Sequence, residues 1–418
     1  MKAIVVGGGI GGLATALSLH EKGIEVAVYE QSRAFRELGV GINTLPHAIK
    51  ELAALGLLDA LDRVGIRTHE LIYTNRFGQE VWRDLRGLDA GYEFPQFSIH
   101  RGKLQGILHQ AVLERIGDAN VHPVHQLVGF EDDGQSVTAR FDRRDDGLGA
   151  TAEGDVLIGA DGIHSMVRST FYPDQGPPSW NGLMLWRGAV EGKPFLTGRS
   201  MIIAGGMNAK FVCYPIYNNP DTPGRTLLNW AVVARISDGS VPPLRREDWS
   251  RLGDRDELMR YVEGVFSLDE IDPVAIINAT ADFYEYPMCD RDPVEQWSFG
   301  RVTLLGDAAH PMYPVGSNGA SQAILDARCL SGLLSSCNGD VVGALKEYEA
   351  ERLPTTAEIV RTNRKGGPEQ VIDLVEERAP DGFESLDDVA TREELETVVR
   401  GYASLAKFSQ TDVNRDKA

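Results

Sequence analysis

The chain has 418 residues, 42% hydrophobic and 25% charged, and its 42 basic and 61 acidic residues give a net charge of −19. That length exceeds what one hydrophobic core ordinarily organises, so at least two packed domains of globular composition are expected. The negative balance disfavours nucleic acid and anionic membranes as partners. Glycines interrupt the apolar start Met1-Lys2-Ala3-Ile4-Val5-Val6 too early for a signal peptide, and no segment has the roughly 18 uninterrupted apolar residues of a transmembrane helix. Cys213, Cys289, Cys329 and Cys337 form no C-x-x-C pair and read as reduced thiols of a cytoplasmic protein.

In chain order, residues 2–6 predict a buried strand, Leu13–Lys22 an apolar-periodic helix ended by Gly23, and Glu25–Glu30 a second strand, together a β-α-β unit. Helical patterns follow at 45–63 and 102–116, with short strand-like runs between them at Glu70–Tyr73 and Glu80–Trp82. Residues 136–142 alternate, 143–150 turn, and Asp155–Gly159 is another buried strand. Met201–Ala204, Phe211–Ile216 and Leu227–Val233 predict an antiparallel sheet in a second, substrate-side domain. Residues 301–306 return to a buried strand and 319–336 to a helix. The acidic tail is helical, with N-terminal boxes at Ser385-x-x-Asp388 and Thr391-x-x-Glu394, and its last ten residues are expected to fray.

The first motif, Gly7-Gly8-Gly9-Ile10-Gly11-Gly12, fits G-x-G-x-x-G through Gly7, Gly9 and Gly12. Gly7 allows the tight turn after the strand, Gly9 lets the backbone approach a pyrophosphate, and Gly12 lets the helix pack on the strand. Glu30, at the end of the second strand, suits the two hydroxyls of a ribose. The motif does not separate FAD from NAD. Two further segments do: DVLIGADGIHSMVR at 155–168, where Asp161-Gly162 opens a turn after a strand, and VTLLGDAAHPMYPVGSNGAS at 302–321. In the latter, Asp307 at a strand end can bind a ribityl hydroxyl, and the helix starting near Gly319 can face the O2/N1 edge of a flavin. His122-x-x-His125 has no accompanying ligand pattern, so no metal is expected.

These three ordered motifs resemble the FAD-dependent aromatic hydroxylases, the single-component flavoprotein monooxygenases. The runs LGVGIN (38–43), SIHRGKLQ (98–105), MLWRG (184–188), EYPMCDRDP (285–293) and GDAAHPMYPVGSNGASQAILDA (306–327) look like the phenazine-hydroxylating branch of that family, over roughly residues 1–365. The resemblance implies an α/β fold: a Rossmann-like FAD-binding domain at 1–70, 101–178 and 291–365, interleaved with an antiparallel-sheet substrate domain at 71–100 and 179–290, and a helical C-terminal tail at 366–418. It implies an enzyme that uses FAD, NAD(P)H and O2 to hydroxylate a small aromatic substrate through a flavin C4a-hydroperoxide, with loss of CO2 where the attacked carbon bears a carboxylate.

It also assigns residues. Gly7, Gly9, Gly11, Gly12, Leu13, Glu30, Gln31, Val40, Gly41, Arg101, Leu127, Val128, Asp161, Gly162, Gly306, Asp307, Gly316, Ser317 and Asn318 are expected at FAD, with Arg101 on the pyrophosphate side and the backbone of Leu127-Val128 at adenine. Arg168 is expected to assist the nicotinamide phosphates. Pro314 and Gly316 are expected beside the isoalloxazine, where glycine leaves space for oxygen. Asn43, Trp186, Tyr214 and Pro314 are expected to contact the substrate, and Pro314, Gly316 and Tyr214 to serve catalysis. A flavin-dependent halogenase or reductase, or a non-catalytic FAD-binding redox protein, is the alternative, although no W-x-W-x-I-P halogenase segment occurs. The aromatic substrate, the choice of NADH or NADPH and the oligomeric state are left open.

Overall fold

A computed structural model describes residues 1–33, 40–240, 243 and 251–415. In chain order, the strands that build the site are β1 (Lys2–Val6), β2 (Glu25–Tyr29), β3 (Gly41–Thr44), β4 (Glu70–Thr74), β5 (Glu80–Leu85), β6 (Phe97–His100), β7 (Val156–Gly159), β8 (Ser179–Gly192), β9 (Ser200–Ala204), β10 (Ala209–Tyr217), β11 (Thr226–Arg235), β12 (Phe283–Asp290) and β13 (Val302–Leu304). The helices are α1 (Ile10–Glu21), α2 (Arg101–Ile116), α3 (Gly319–Ser336), α4 (Val341–Arg364), α5 (Gln370–Arg378) and α6 (Arg392–Leu405).

The apolar runs predicted as buried strands share one sheet. β1 pairs in parallel with β2 and with β7, and β7 with β13, while Val121–His122 and Ser298–Phe299 form the edges. Strands covered on both faces need apolar side chains throughout, which is why β1 and β7 read as continuous runs. Helices α1 and α3 pack against each other beside this sheet.

A second sheet has the order β12-β8-β11-β10-β9-β4-β5 and lies over the first unit. It is antiparallel except for β9 and β4, which pair in parallel because β4 arrives from the nucleotide-binding part of the chain. Strand period sorts its residues into two faces. Tyr73, Met201, Ile203, Tyr214, Leu185 and Tyr286 lie on one face, and Ile202, Phe211, Trp230, Val232 and Trp186 lie on the other, covered by Leu258, Met259 and Ile277. Strand β6 does not join this sheet; it pairs with β3 and with Ile66–Arg67.

Helices predicted at 102–116 and 319–336 are α2 and α3. The helix expected at 45–63 is instead two, Pro46–Ala54 and Leu58–Asp62, interrupted where Gly56 turns to φ +72°. The histidines of the H-x-x-H pattern are ring partners: His122 stacks on Tyr29 at 4.5 Å, and Phe141 stacks on Tyr29 at 4.3 Å.

The tail corrects two expectations. Thr391 and Glu394 form a reciprocal capping box at the start of α6, whereas the Ser385 side chain caps nothing. The last residues are not frayed as far as Arg415. Lys50 Nζ donates to the carbonyls of Val413 and Arg415 at 2.7 Å, and Tyr92 Oη donates to the Phe408 carbonyl at 2.8 Å. Phe408 and Val413 are buried with Leu45, Ile359 and Tyr402, so apolar burial fastens a segment whose composition looked solvated.

Candidate active site

The glycine turn between β1 and α1 is shaped by steric limits specific to each position. Gly7 has φ +111°, and a Cβ there would lie 2.3 Å from the Ala160 carbonyl oxygen; at Gly12 it would lie 1.9 Å from the Gly7 oxygen. Both glycines let backbone pack on backbone. Gly11 packs on Leu305 and Ala323, and Leu13 is core. At Gly9 a Cβ would meet nothing within 4 Å, so the turn presents an open cradle at the N-terminus of α1. Glu30 closes one side of it, accepting hydrogen bonds from Gly8 N at 2.7 Å and Ser32 N at 2.8 Å. Gln31 is exposed beside it. Leu127 points into the core and Val128 outward.

Beyond the turn, Arg101 begins α2. Its N–H donates to the Val40 carbonyl at 2.9 Å, but its guanidinium has no hydrogen bond or ion pair among the described residues. It faces Arg187 and Asp307, and burial plus the like charge of Arg187 lower its pKa. An unpaired cation beside another cation calls for an anionic ligand. Asp307, in the turn Gly306–Ala308 after β13, opens onto the cleft while protein surrounds it. Burial raises its pKa, opposed by His310 and Arg101.

Arg187 reaches across from β8, donating to the Gly41 carbonyl at 2.5 Å and to Tyr286 Oη at 3.2 Å, while Asn229 Oδ1 accepts from Gly41 N at 2.6 Å. Sequence reasoning missed Arg187 and Asn229. The available signal was a lone charge in an apolar strand, two positions from Leu185 and so on the same face.

The Asp161-Gly162 turn is built by Asp161, which accepts from Ser165 Oγ at 2.5 Å and Met166 N at 2.7 Å, with Gly162 at φ +80°. Arg168 is corrected. Its guanidinium is buried and committed to the carbonyls of Ala308 (3.1 Å), Ala309 (2.8 Å) and Asp292 (2.8 Å) and to Gln175 (2.8 Å). It buttresses the Asp307 turn, with four of its five N–H groups already engaged by protein acceptors.

After that turn, Pro314 is exposed, and Gly316 and Ser317 take positive φ (+66° and +58°) ahead of α3. Asn318 turns its side chain away from the helix, donating to Gly316 O at 3.1 Å and to Tyr402 Oη at 3.0 Å. The first N–H groups of α3 therefore stay open, with the positive end of the helix dipole behind them.

Gly316 is also corrected. A Cβ there would meet the Tyr402 ring and hydroxyl at 2.5–2.7 Å, so the missing side chain makes room for the tail and not for oxygen.

Of the residues expected at the substrate, Tyr214 lies on the inner face of the sheet, the pKa of its phenol pushed up to about 12 by burial despite the nearby Arg187. Asn43 is buried and accepts from Ser98 Oγ at 2.6 Å. Trp186 is corrected by its register. It faces the far side of the sheet, donating to Glu285 at 3.1 Å and stacking on Tyr261.

A cavity of about 470 Å³ lies between the inner face of the sheet, the Gly316-Ser317 loop and the tail. Leu45, Tyr73, Met201, Ile203, Arg86 and Phe408 are among its lining residues. The tail's part in it was not legible, because nothing in the sequence says what a C-terminal amphipathic helix packs against.

An open glycine cradle, an unpaired Arg101, an acid at the strand end and an uncapped helix N-terminus together fit FAD, and the cavity next to them, with polar and aromatic walls, has room for a flat ring. These features define an FAD-dependent monooxygenase of aromatic substrates, and the chain belongs to the family described as FAD binding domain, whose model matches residues 1–176 and 271–363. Among its relatives is the phenazine 1,6-dicarboxylic acid hydroxylase PhzS of Lysobacter antibioticus, 43% identical over 86% of this chain and 88% of that protein. The 3-amino-4-hydroxybenzoate 2-monooxygenase PtnB3 of Streptomyces platensis is 34% identical over 92% and 94%. A variant of HpxO from Klebsiella pneumoniae, solved with FAD, superposes with a TM-score of 0.73 at 26% identity, covering 97% of this chain and 98% of that one. FAD is the cofactor, NAD(P)H the usual reductant of such enzymes, and a small aromatic compound and O2 are the other reactants. No helix among the described residues is long and apolar enough to cross a membrane.

Proposed function

We propose that this chain hydroxylates a planar aromatic or heteroaromatic acid, with a phenazine carboxylate as the best match. The net reaction takes one ring C–H, NAD(P)H, O2 and a proton to the phenol, NAD(P)+ and water. The observation that carries this reading is the cavity beside the Gly316-Ser317 loop, whose mixed polar and apolar walls include the rings of Tyr73, Tyr92 and Phe408 and the cation Arg86, which has no ion pair among the described residues. Similarity to a phenazine dicarboxylate hydroxylase supports it.

When bound, FAD supplies hydride acceptance and O2 activation. The chain's own residues do the rest. The Gly7–Gly12 turn and Arg101 hold the pyrophosphate, Glu30 the ribose and Asp307 the ribityl chain. The uncapped N-terminus of α3 would stabilise negative charge developing on the bound ring system. The inner sheet face and the tail shut water away from the reacting carbon. Four cysteines in the thiol form support a cytoplasmic setting.

The test is NAD(P)H oxidation by the FAD-loaded protein, with NADH and NADPH supplied separately, in the presence of phenazine-1-carboxylate, phenazine-1,6-dicarboxylate or 3-hydroxybenzoate. Stimulated oxidation with a hydroxylated product by mass is expected. Oxidation that none of these acids stimulates, with O2 recovered as H2O2, would overturn the proposal.

A further inference from the structure

One cation of the cavity stands apart from the others. Arg83 is engaged by Glu70 and Glu80, Arg400 by Glu396, Glu369 by Lys210, and Asp89 by Arg199 and His69. Arg86 has no ion pair among the described residues, and its Nε is buried without a hydrogen-bond partner.

The local chain explains why it points inward. Where β5 ends, Arg86 N donates to the His69 carbonyl at 2.7 Å, fixing the backbone. Gly87 then turns to φ +53°, and a Cβ there would sit 2.5 Å from Gln96 N, so the turn is pressed against Gln96. Arg86 and Gln96 thus open on the same cavity. Gln96 is 3% exposed, and its Oε1 is also buried without a partner. The phenol of Tyr73 hydrogen-bonds with Arg86, and Tyr92 lies in reach of the same charge. Asp84 faces both phenols too but makes no ion pair with Arg86.

A buried guanidinium N–H left open in a cavity destabilises the protein unless a ligand supplies an acceptor. The protein supplies no acceptor for this Nε–H, although Asp84 is close enough in sequence to have done so.

We propose that Arg86 and Gln96 form the subsite that recognises the carboxylate of the aromatic substrate. Arg86 gives a charge-assisted N–H···O bond and Gln96 donates from its amide nitrogen, while the ring lies toward Gly316 and Ser317. This rests on reading the cavity as the substrate site. It goes further in naming the residues that make the enzyme select an acid over the neutral ring.

The experiment titrates the FAD-loaded full chain with phenazine-1-carboxylate and with unsubstituted phenazine, following the perturbation of the flavin absorbance. Arg86→Met should raise Kd for the acid about ten- to a hundred-fold, the range of a charged hydrogen bond, and change that for phenazine by less than about twofold. Arg86→Lys should recover part of the loss. Gln96→Glu keeps the volume but gives Arg86 an internal carboxylate, so it should reproduce the loss for the acid with Arg86 still present.

Equal weakening of both ligands, or unchanged affinity for the acid in a variant with normal FAD content, would overturn the subsite. If neither phenazine perturbs the wild-type flavin, the phenazine reading itself is wrong. The same comparison then runs with 3-hydroxybenzoate against phenol, and an Arg86→Met variant that weakens both equally overturns the subsite there too.

Discussion

His47 shows how a single residue can bear on the whole protein's pH response. It is 4% exposed, its Nδ1 has no partner, and burial, aided by the nearby Arg352, lowers its pKa from 6.5 to about 3. The folded value lies below the unfolded one, so the unfolded chain binds the proton first as pH falls. The stability associated with neutral His47 is therefore complete above about pH 6.5 and is lost progressively between there and pH 3, at up to about 1.4 kcal/mol per pH unit. Urea unfolding of the FAD-loaded protein at a series of pH values should show a steeper loss below pH 6.5 in wild type than in His47→Gln. Parallel curves would show that His47 titrates normally. Residues at this scale were legible in sequence where backbone sterics decide, as at Gly7 and Gly12. They were not legible where direction decides: Arg168 is spent on carbonyls and Trp186 faces the wrong side, because neither contact is local.

At the scale of elements, the junction between α6 and the loop before α3 stands out. Tyr402, from α6, donates to Asn363 Oδ1 at 2.7 Å and accepts from Asn318 Nδ2 at 3.0 Å, while its ring occupies the space a side chain at 316 would need. Gly316→Ala should therefore act on the tail. The left-handed backbone costs about 1–2 kcal/mol in a non-glycine residue, and the methyl group must displace the Tyr402 ring. FAD content should hold, the melting temperature should fall, and trypsin should release the C-terminal segment faster than in wild type. An unaltered melting temperature and cleavage rate would mean the loop and helix are not coupled in this way. The Thr391–Glu394 box announced the start of α6 in sequence, and the Gly319–Ser336 helix was readable from its periodicity. That the two meet through Tyr402 was not, since 84 positions separate Asn318 from Tyr402.

For the molecule as a whole, the tail is joined to the substrate-side sheet by a buried ion pair, Lys210 of β10 with Glu369 just before α5. Asp373 reinforces the junction by accepting from Met207 N at 2.8 Å. Breaking such a pair leaves one charge buried and alone, whereas replacing both with apolar residues is often neutral. Glu369→Leu should destabilise the protein by about 3–5 kcal/mol, and Lys210→Met with Glu369→Leu should recover most of that. Chemical denaturation of the two variants checks this, and a double variant no more stable than the single one would show that the pair is not the joint.

The sequence by itself determined the nucleotide-binding unit, the order of the three FAD motifs and the class of chemistry. Each of these rests on short-range constraints: glycines where backbone meets backbone, an acid at a strand end, a helix starting after a turn. Tertiary structure alone decided which face of the sheet meets the cavity, that Arg187 and Asn229 clasp Gly41, that Arg86 and Gln96 share one cavity, and that the tail closes it. These are long-range juxtapositions, fixed by strand register and by burial of apolar surface between distant segments, and a pattern within one segment carries no record of them.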